Sequence, residues 1–245
     1  MVYEHVNRPE LAGKAQTVLG AISPEALGVT LPHEHLFCDL TIALRDLEPS
    51  EAAEKGLYYQ PVSLENLWWI IYHPASNRDN LVLQDEEIAI KEASFFKRAG
   101  GDTIVDVTSV GFGRDPLALA RVSRATGLNI MGAGYYIAKT QPADMDSKTD
   151  EEICEEIVRE VTVGVGSTGI CAGIIGEIGC SEPLIDNERK VLRAAAKAQR
   201  RTGAPLNIHP ARKPKPDVSG CLEIIEILSK AGADIRLRLA SWVYV

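Results

Sequence analysis

The sequence has no long apolar run and few cysteines. Its most apolar stretch, residues 161–175, is interrupted by threonine, serine and glycine, and it falls short of the ~20 apolar residues of a membrane-spanning helix. The first nine residues include Glu4, His5 and Arg8 and lack the apolar core of a secretory signal. The five cysteines form no CxxC pair, which indicates reduced thiols. We therefore predict a cytoplasmic protein without a membrane segment.

An excess of basic residues is also absent. Lysine and arginine number 26 against 34 aspartates and glutamates, which gives a formal net charge of −8. An acidic surface repels phosphate backbones and anionic lipid headgroups. We therefore predict neither a nucleic-acid partner nor a membrane partner.

Short β-branched runs alternate with amphipathic stretches from residue 100 onward, which predicts βα units and a parallel sheet. The predicted strands are 29–31, 103–107, 128–131, 170–175 and 205–208. The predicted helices are 84–99, 116–125, 149–163, 186–201 and 218–231. The chain of 245 residues also matches the typical size of an α/β barrel, about 250 residues.

Residues 41–82 interrupt this rhythm with a long segment rich in aromatic side chains. Long loops that follow barrel strands often form lids and substrate pockets. An additional helix over residues 63–72, whose Trp68 and Trp69 simply pack on the barrel, is an equally good interpretation.

A His-x-His pattern ends the first predicted strand. In an extended chain His33 and His35 point to the same side, while Glu34 faces the other way. Two neutral imidazoles on a rigid strand end form half of a site for Zn²⁺ or a similar cation. The pattern alone is only moderately specific, and a solvated histidine pair at the start of a loop is the alternative.

Two further ligand-type residues follow other predicted strands. Glu177 comes after the apolar run 170–176, and His209 comes after the strand 205–208. The carboxyl ends of barrel strands converge on one mouth, where active sites of this fold lie. The two oxygens of a carboxylate can bridge two cations that hold a nucleophilic hydroxide, so Glu177 is the candidate catalytic residue. A helix N-terminal carboxylate or a surface ion pair is the alternative role for Glu177.

Several motifs together resemble the phosphotriesterase family of the amidohydrolase superfamily. They are GVTLPHEHL at 28–36, DVTSVGFGRD at 106–115, IMGAGYY at 130–136, GIIGEIGC at 173–180 and NIHP at 207–210. The resemblance extends from about Gly13 to about Ile235. It is greatest to the phosphotriesterase-related branch, whose bridging ligand is a glutamate instead of a carboxylated lysine.

The resemblance implies a TIM-type (β/α)8 barrel with two divalent metal ions, Zn²⁺ by preference. His33 and His35 would bind the first ion, Glu177 would bridge, and His209 would bind the second. Tyr136 falls where the family lines its substrate pocket, although plain packing explains an aromatic there equally well. The implied activity is hydrolysis of a small-molecule phosphotriester, lactone or N-acyl amide such as N-acetyltaurine through a metal-bridging hydroxide.

The C-terminal residues depart from the family pattern. Family members supply a further histidine after the sixth strand and an aspartate after the eighth, but no histidine or aspartate follows Ile235 here. At ~30 residues per βα unit, we expect a single barrel domain over residues 1–245 with five to six of its eight units, truncated at the C-terminus.

An incomplete barrel exposes strand edges and apolar helix faces, so we expect aggregation or a homo-oligomer. The alternative function is accordingly a catalytically impaired fragment with partial metal binding or an association role.

Overall fold

Within the described residues, six parallel strands form the central sheet, and strands that follow one another along the chain are neighbours in it. The computed structural model describes residues 12–45, 48–134, 144–211, 219–234 and 239–241. The sheet strands are β3 Thr30–Glu34, β6 Thr103–Asp106, β7 Asn129–Gly134, β8 Ile174–Gly179, β9 Leu206–His209 and β10 Leu239–Ser241. Two antiparallel pairs flank the sheet: β1 Ala15–Thr17 with β2 Gly20–Ile22, and β4 Cys38–Asp39 with β5 Val82–Leu83. This topology is an incomplete TIM-type (β/α) barrel, as the sequence predicted.

Seven α-helices accompany the strands in the parts of the chain that the structure describes. They are α1 Lys55–Tyr59, α2 Leu67–Tyr72, α3 Glu86–Arg98, α4 Pro116–Thr126, α5 Asp150–Thr162, α6 Asp186–Thr202 and α7 Ser219–Lys230. Short 3-10 segments lie at Pro24–Leu27, Thr41–Ala43, Pro49–Glu54, Asp79–Leu81 and Met145–Ser147. Among the described residues, no helix has both the length and the apolarity needed to cross a membrane.

Local sequence sets the helix ends close to their predicted positions. Thr149 and Glu152 form a capping box at the start of α5. The Asp115 side chain accepts a hydrogen bond from the Ala118 N–H and so caps α4. At the other end of α4, Gly127 adopts a left-handed conformation with φ of 69°.

Alternate strand residues pack on opposite faces of the sheet. Ile104 and Ile130 pack with the α4 residues Leu119 and Val122 in a helix-side core. Their strand neighbours, such as Val105, belong to a separate buried cluster on the inner face. Burial on both faces is typical of parallel sheets and explains why these strands are continuously apolar.

The largest boundary error among the predicted strands concerns β8. The sequence predicted a strand over residues 170–175, but β8 is Ile174–Gly179. Residues 164–173 form a turn instead, in which Gly169 has φ of 68° and the Val165 N–H donates to the Ile170 carbonyl. The apolar residues before Ile174 therefore belong to this turn, and the strand begins four residues later than predicted.

The segment 41–82 supports the packing interpretation for one of its two tryptophans. Trp69 is buried in α2, its indole N–H donates to Glu54 Oε2 at 2.6 Å, and its ring stacks on His73. Trp68 is 62% exposed. The α-helix is also shorter than the predicted 63–72 range.

The β1–β2 hairpin lies against the central sheet, and the backbone of the hairpin closely approaches the backbone at β7 and Gly173. The Val18 N–H donates to the Ile130 carbonyl of β7 at 2.8 Å. A Cβ atom on Gly173 would lie 2.2 Å from the carbonyl oxygen of Gln16. A Cβ atom on Gly132 would instead lie 3.5 Å from the Val18 side chain, which is an ordinary contact.

We expect Gly173→Ala to lower the free energy of unfolding by roughly 1–3 kcal/mol, because the added methyl group must displace backbone. Gly132→Ala is the matched control, since its methyl group fits, and its effect should stay below about 1 kcal/mol. Urea unfolding followed by circular dichroism measures both values. Equal losses in the two variants would contradict the close hairpin contact.

Candidate metal centre

An irregularity in the pairing of β3 with β6 determines where the side chain of His33 points. Leu31 packs on the helix-side core, and regular alternation would place His33 on that same face. The pairing of β3 with β6 is irregular between Leu31 and Glu34, however, and bulges of this kind re-aim side chains. His33 and His35 approach each other with ring centroids 5.6 Å apart, as the sequence predicted for this pair.

A second irregularity accompanies Glu177 in β8. Ile175 and Ile178 both belong to a second helix-side core, formed with α5 and α6, and the pairing of β8 with β9 shifts between these two residues. Glu177 lies between them and points away from this core toward the histidines. Its side chain is only 3% exposed. The sequence had suggested that Glu177 follows the strand. In the structure it is instead the fourth residue of β8.

The two carboxylate oxygens of Glu177 face different imidazoles. Oε2 lies 2.8 Å from His33 Nε2, and Oε1 lies 4.0 Å from His35 Nε2. His209, at the end of β9, places Nδ1 3.8 Å from Oε2, and its side chain is 42% exposed. The structure therefore brings the three predicted histidine ligands to the carboxylate of the fourth predicted ligand, Glu177.

Three of these residues have the geometry of a metal site. One ligand atom from each of His33, His35 and Glu177 can be chosen so that all lie within 4.8 Å of one another. Two imidazoles and one carboxylate match the ligand types of catalytic zinc sites. The residues thus fit a divalent cation, with His209 as a more exposed neighbour.

The protonation states also suit cation binding. Burial is the main cause that lowers the pKa of His35, with smaller contributions from the charges of His33 and His209. Burial alone would raise the pKa of Glu177, but the hydrogen bond from His33 and the three nearby imidazoles outweigh it and lower the pKa. A neutral imidazole beside an ionised carboxylate is the form that binds metal.

Sequence reasoning did not identify Asp106 and Thr108 as part of the site. Asp106, at the end of β6, is buried and accepts hydrogen bonds from the Leu36 N–H at 2.7 Å and the Thr108 N–H at 3.0 Å. Burial raises its pKa to about 6 against these stabilising hydrogen bonds. An aspartate at the end of a continuously buried strand was the available signal.

Two more buried polar side chains were missed. Neither the Ser109 hydroxyl nor the Asn207 amide has a hydrogen-bond partner within the described parts of the chain. Asn207 precedes His209 by two residues and lies on the opposite face of β9 from Leu206 and Ile208, which belong to the same core as Ile175 and Ile178. Asn207 therefore adds a buried polar side chain to the face of β9 that carries His209.

The predicted substrate contact Tyr136 lies outside the described residues, which resume at residue 144 after residue 134. Its role in lining a pocket stays a prediction.

Comparison with known proteins gives consistent matches. The model of the phosphotriesterase family matches residues 13–242. The N-acetyltaurine hydrolase of Xenopus tropicalis is 45% identical over 233 residues, which cover 94% of this chain and 65% of the relative. The phosphotriesterase-related protein of Nematostella vectensis is 45% identical over 234 residues, with the same two coverages of 94% and 65%. The chain thus spans about 65% of the length of these curated relatives.

Solved structures match over a similar extent. The crystal structure of a resiniferatoxin-binding protein from Rhodobacter sphaeroides has a TM-score of 0.86 and 36% identity, covering 95% of this chain and 62% of that protein. A lactonase from Listeria monocytogenes has a TM-score of 0.69 and 26% identity, with coverages of 93% and 64%.

Proposed function

The chain belongs to the phosphotriesterase family, and from this membership we propose that it is a metal-dependent hydrolase of an ester or amide bond in a small molecule. An N-acyl amide is the first choice of substrate, because relatives at 45% and 42% identity are N-acetyltaurine hydrolases. A lactone or a phosphotriester is the alternative substrate. The cofactor in this proposal is a pair of Zn²⁺ ions.

The observation that carries the proposal is the convergence of two imidazoles on the buried carboxylate of Glu177. Divalent cations, when bound, polarise the carbonyl or phosphoryl oxygen of the substrate and activate water as a nucleophile. His33 and His35 would hold the first ion, and His209 the second. Glu177 suits a bridging role because its two oxygens face different imidazoles.

The protein environment of Glu177 supports this role. The carboxylate is almost completely shielded from solvent, so its interactions with charge are stronger than they would be in water. The more exposed His209 lies where a substrate can approach. The neutral state of His35, which burial favours, leaves its ring nitrogens available for a ligand and a hydrogen bond.

Reconstitution with zinc tests the proposal directly. The full chain is stripped with a chelator, reloaded with Zn²⁺ and analysed for metal content by mass spectrometry. We expect two zinc ions per chain and zinc-dependent release of taurine from N-acetyltaurine. A lactone and a chromogenic phosphotriester, assayed in parallel, identify the alternative substrates.

His73→Gln is the matched control, because this histidine contacts Trp69 in the 41–82 segment and none of the four candidate ligands. It should retain both zinc ions and activity. A reloaded chain that folds but holds no zinc would overturn the proposal.

The second candidate function is association through strand edges. Within the described residues, β3 and β10 each pair with only one neighbour and end the six-stranded sheet. Unpaired edges are templates for pairing with another chain. Light scattering after size-exclusion chromatography separates the candidates: zinc-bound oligomers without hydrolysis favour association, and an active monomer excludes it.

A further inference from the structure

The hydroxyl of Thr108 lies against the first candidate metal ligands and has no part in the function proposed above. Its Oγ1 atom is 2.9 Å from Nδ1 of His35. Thr108 is only 1% exposed, so water does not compete for this hydrogen bond. We propose that Thr108 and Asp106 are positioning residues that hold His35 as its Nδ1–H tautomer. This inference rests on the proposed function only in treating His35 as a metal ligand.

The direction of the hydrogen bonds follows from counting protons. The Thr108 hydroxyl has a single hydrogen, and the Asp106 carboxylate beside it, which already accepts the backbone N–H of Thr108, can only accept when ionised. The hydroxyl therefore donates this hydrogen to Asp106, and Oγ1 accepts the hydrogen bond that it shares with Nδ1 of His35. The proton between Thr108 and His35 consequently belongs to Nδ1 of the imidazole.

This tautomer leaves the lone pair of His35 on Nε2. Nε2 is the nitrogen that faces Glu177, at 4.0 Å from Oε1. Only an unprotonated ring nitrogen can bind a metal, so the opposite tautomer would direct an N–H at the site. The chain from Asp106 through Thr108 thus prepares His35 for ligation before any cation arrives.

Asp106 holds both partners of the hydrogen bond in place. One carboxylate oxygen accepts from the backbone N–H of Leu36, the residue that directly follows His35. The other accepts from the backbone N–H of Thr108 itself. The carboxylate therefore ties the end of β3 to the end of β6 and fixes the distance over which Thr108 meets His35.

Nitrogen NMR of the histidine rings in the metal-free protein tests the tautomer. The chain has five histidines, and single His→Gln variants assign their signals. We expect His35 of the unaltered protein to show a protonated Nδ1 and a bare Nε2. Thr108→Val preserves the shape of the side chain but removes the acceptor, so Nε2–H should become the main form, as for histidine in water.

Zinc titration of the same proteins gives the second readout. We expect Thr108→Val to weaken zinc binding by about 10- to 100-fold, the usual effect of losing an outer partner of a metal-binding histidine. Thr108→Ser keeps the hydroxyl and should retain both the tautomer and the affinity. A thermal melt confirms that each variant is folded.

The possible failures are distinguishable. A protonated Nε2 in the unaltered protein, or an unchanged tautomer in folded Thr108→Val, would overturn the positioning role. If the unaltered protein shows the expected tautomer but binds no zinc, the metal-dependent function fails while the hydrogen-bond assignment stands.

Discussion

Glu177→Gln is expected to abolish most of the hydrolytic activity and to weaken zinc binding sharply. The substitution keeps the size of the side chain but removes the negative charge that faces the imidazoles of His33 and His35. A bound metal stabilises the charge of the transition state by several kcal/mol. Each 1.36 kcal/mol of lost stabilisation slows the reaction about tenfold. The expected loss in kcat/KM is therefore on the order of 10²- to 10³-fold.

Glu188→Gln is the control, because Glu188 is an equally buried glutamate that touches no candidate ligand. Its carboxylate accepts hydrogen bonds from the backbone N–H groups of Ser181 and Ile185. We expect Glu188→Gln to lower the free energy of unfolding by about 1.5–3 kcal/mol, which is what hydrogen bonds to a charged group contribute. Its zinc affinity should be unchanged. Unchanged zinc content and rate in Glu177→Gln would contradict the central role of this carboxylate.

The candidate ligands were predictable from sequence because strand ends and ligand types coincide. His33, His35 and His209 follow from the His-x-His pattern and from a histidine after an apolar run, and the structure brings them to Glu177. How Glu177 reaches the site was not predictable. Regular alternation would place it on the face of Ile175, and only the irregular register of β8 turns it toward the histidines.

The hydrogen-bond partners of the ligands were beyond sequence reasoning for a different reason. Asp106 acts on the backbone N–H of Leu36, which lies 70 positions away along the chain. Backbone groups carry no residue-type signal, so no spacing rule points to such a pair. Local features behaved differently, because caps such as Thr149 and Gly127 are short-range signals and set the helix ends close to prediction.

A largely buried ion pair outside the site leads to the second large expected effect, which concerns stability. Arg114, which follows β6, forms two parallel hydrogen bonds to Glu160 of α5 at 2.7 and 2.8 Å. It also donates to the Ala133 carbonyl of β7 at 3.1 Å. The two charged side chains are only 8% and 15% exposed. One guanidinium thus joins the end of one strand to the next strand and its helix.

Arg114→Met is expected to lower the free energy of unfolding by about 3 kcal/mol, because it leaves the largely buried carboxylate of Glu160 without its partner. Urea unfolding measures the loss. Arg121→Met is the matched control, since Arg121 pairs with Glu86 in similar geometry but the two side chains are 51% and 35% exposed. Its loss should stay below about 1 kcal/mol.

The double variant Arg114→Met/Glu160→Leu separates the charge from the packing. Removing both charges eliminates the uncompensated carboxylate, and apolar side chains of similar size fill the space, so at least half of the lost stability should return. The Ala133 carbonyl still lacks its donor, which sets the residual cost at about 1 kcal/mol. If the double variant is less stable than Arg114→Met alone, the Arg114–Glu160 pair contributes net stability and desolvation is the smaller effect.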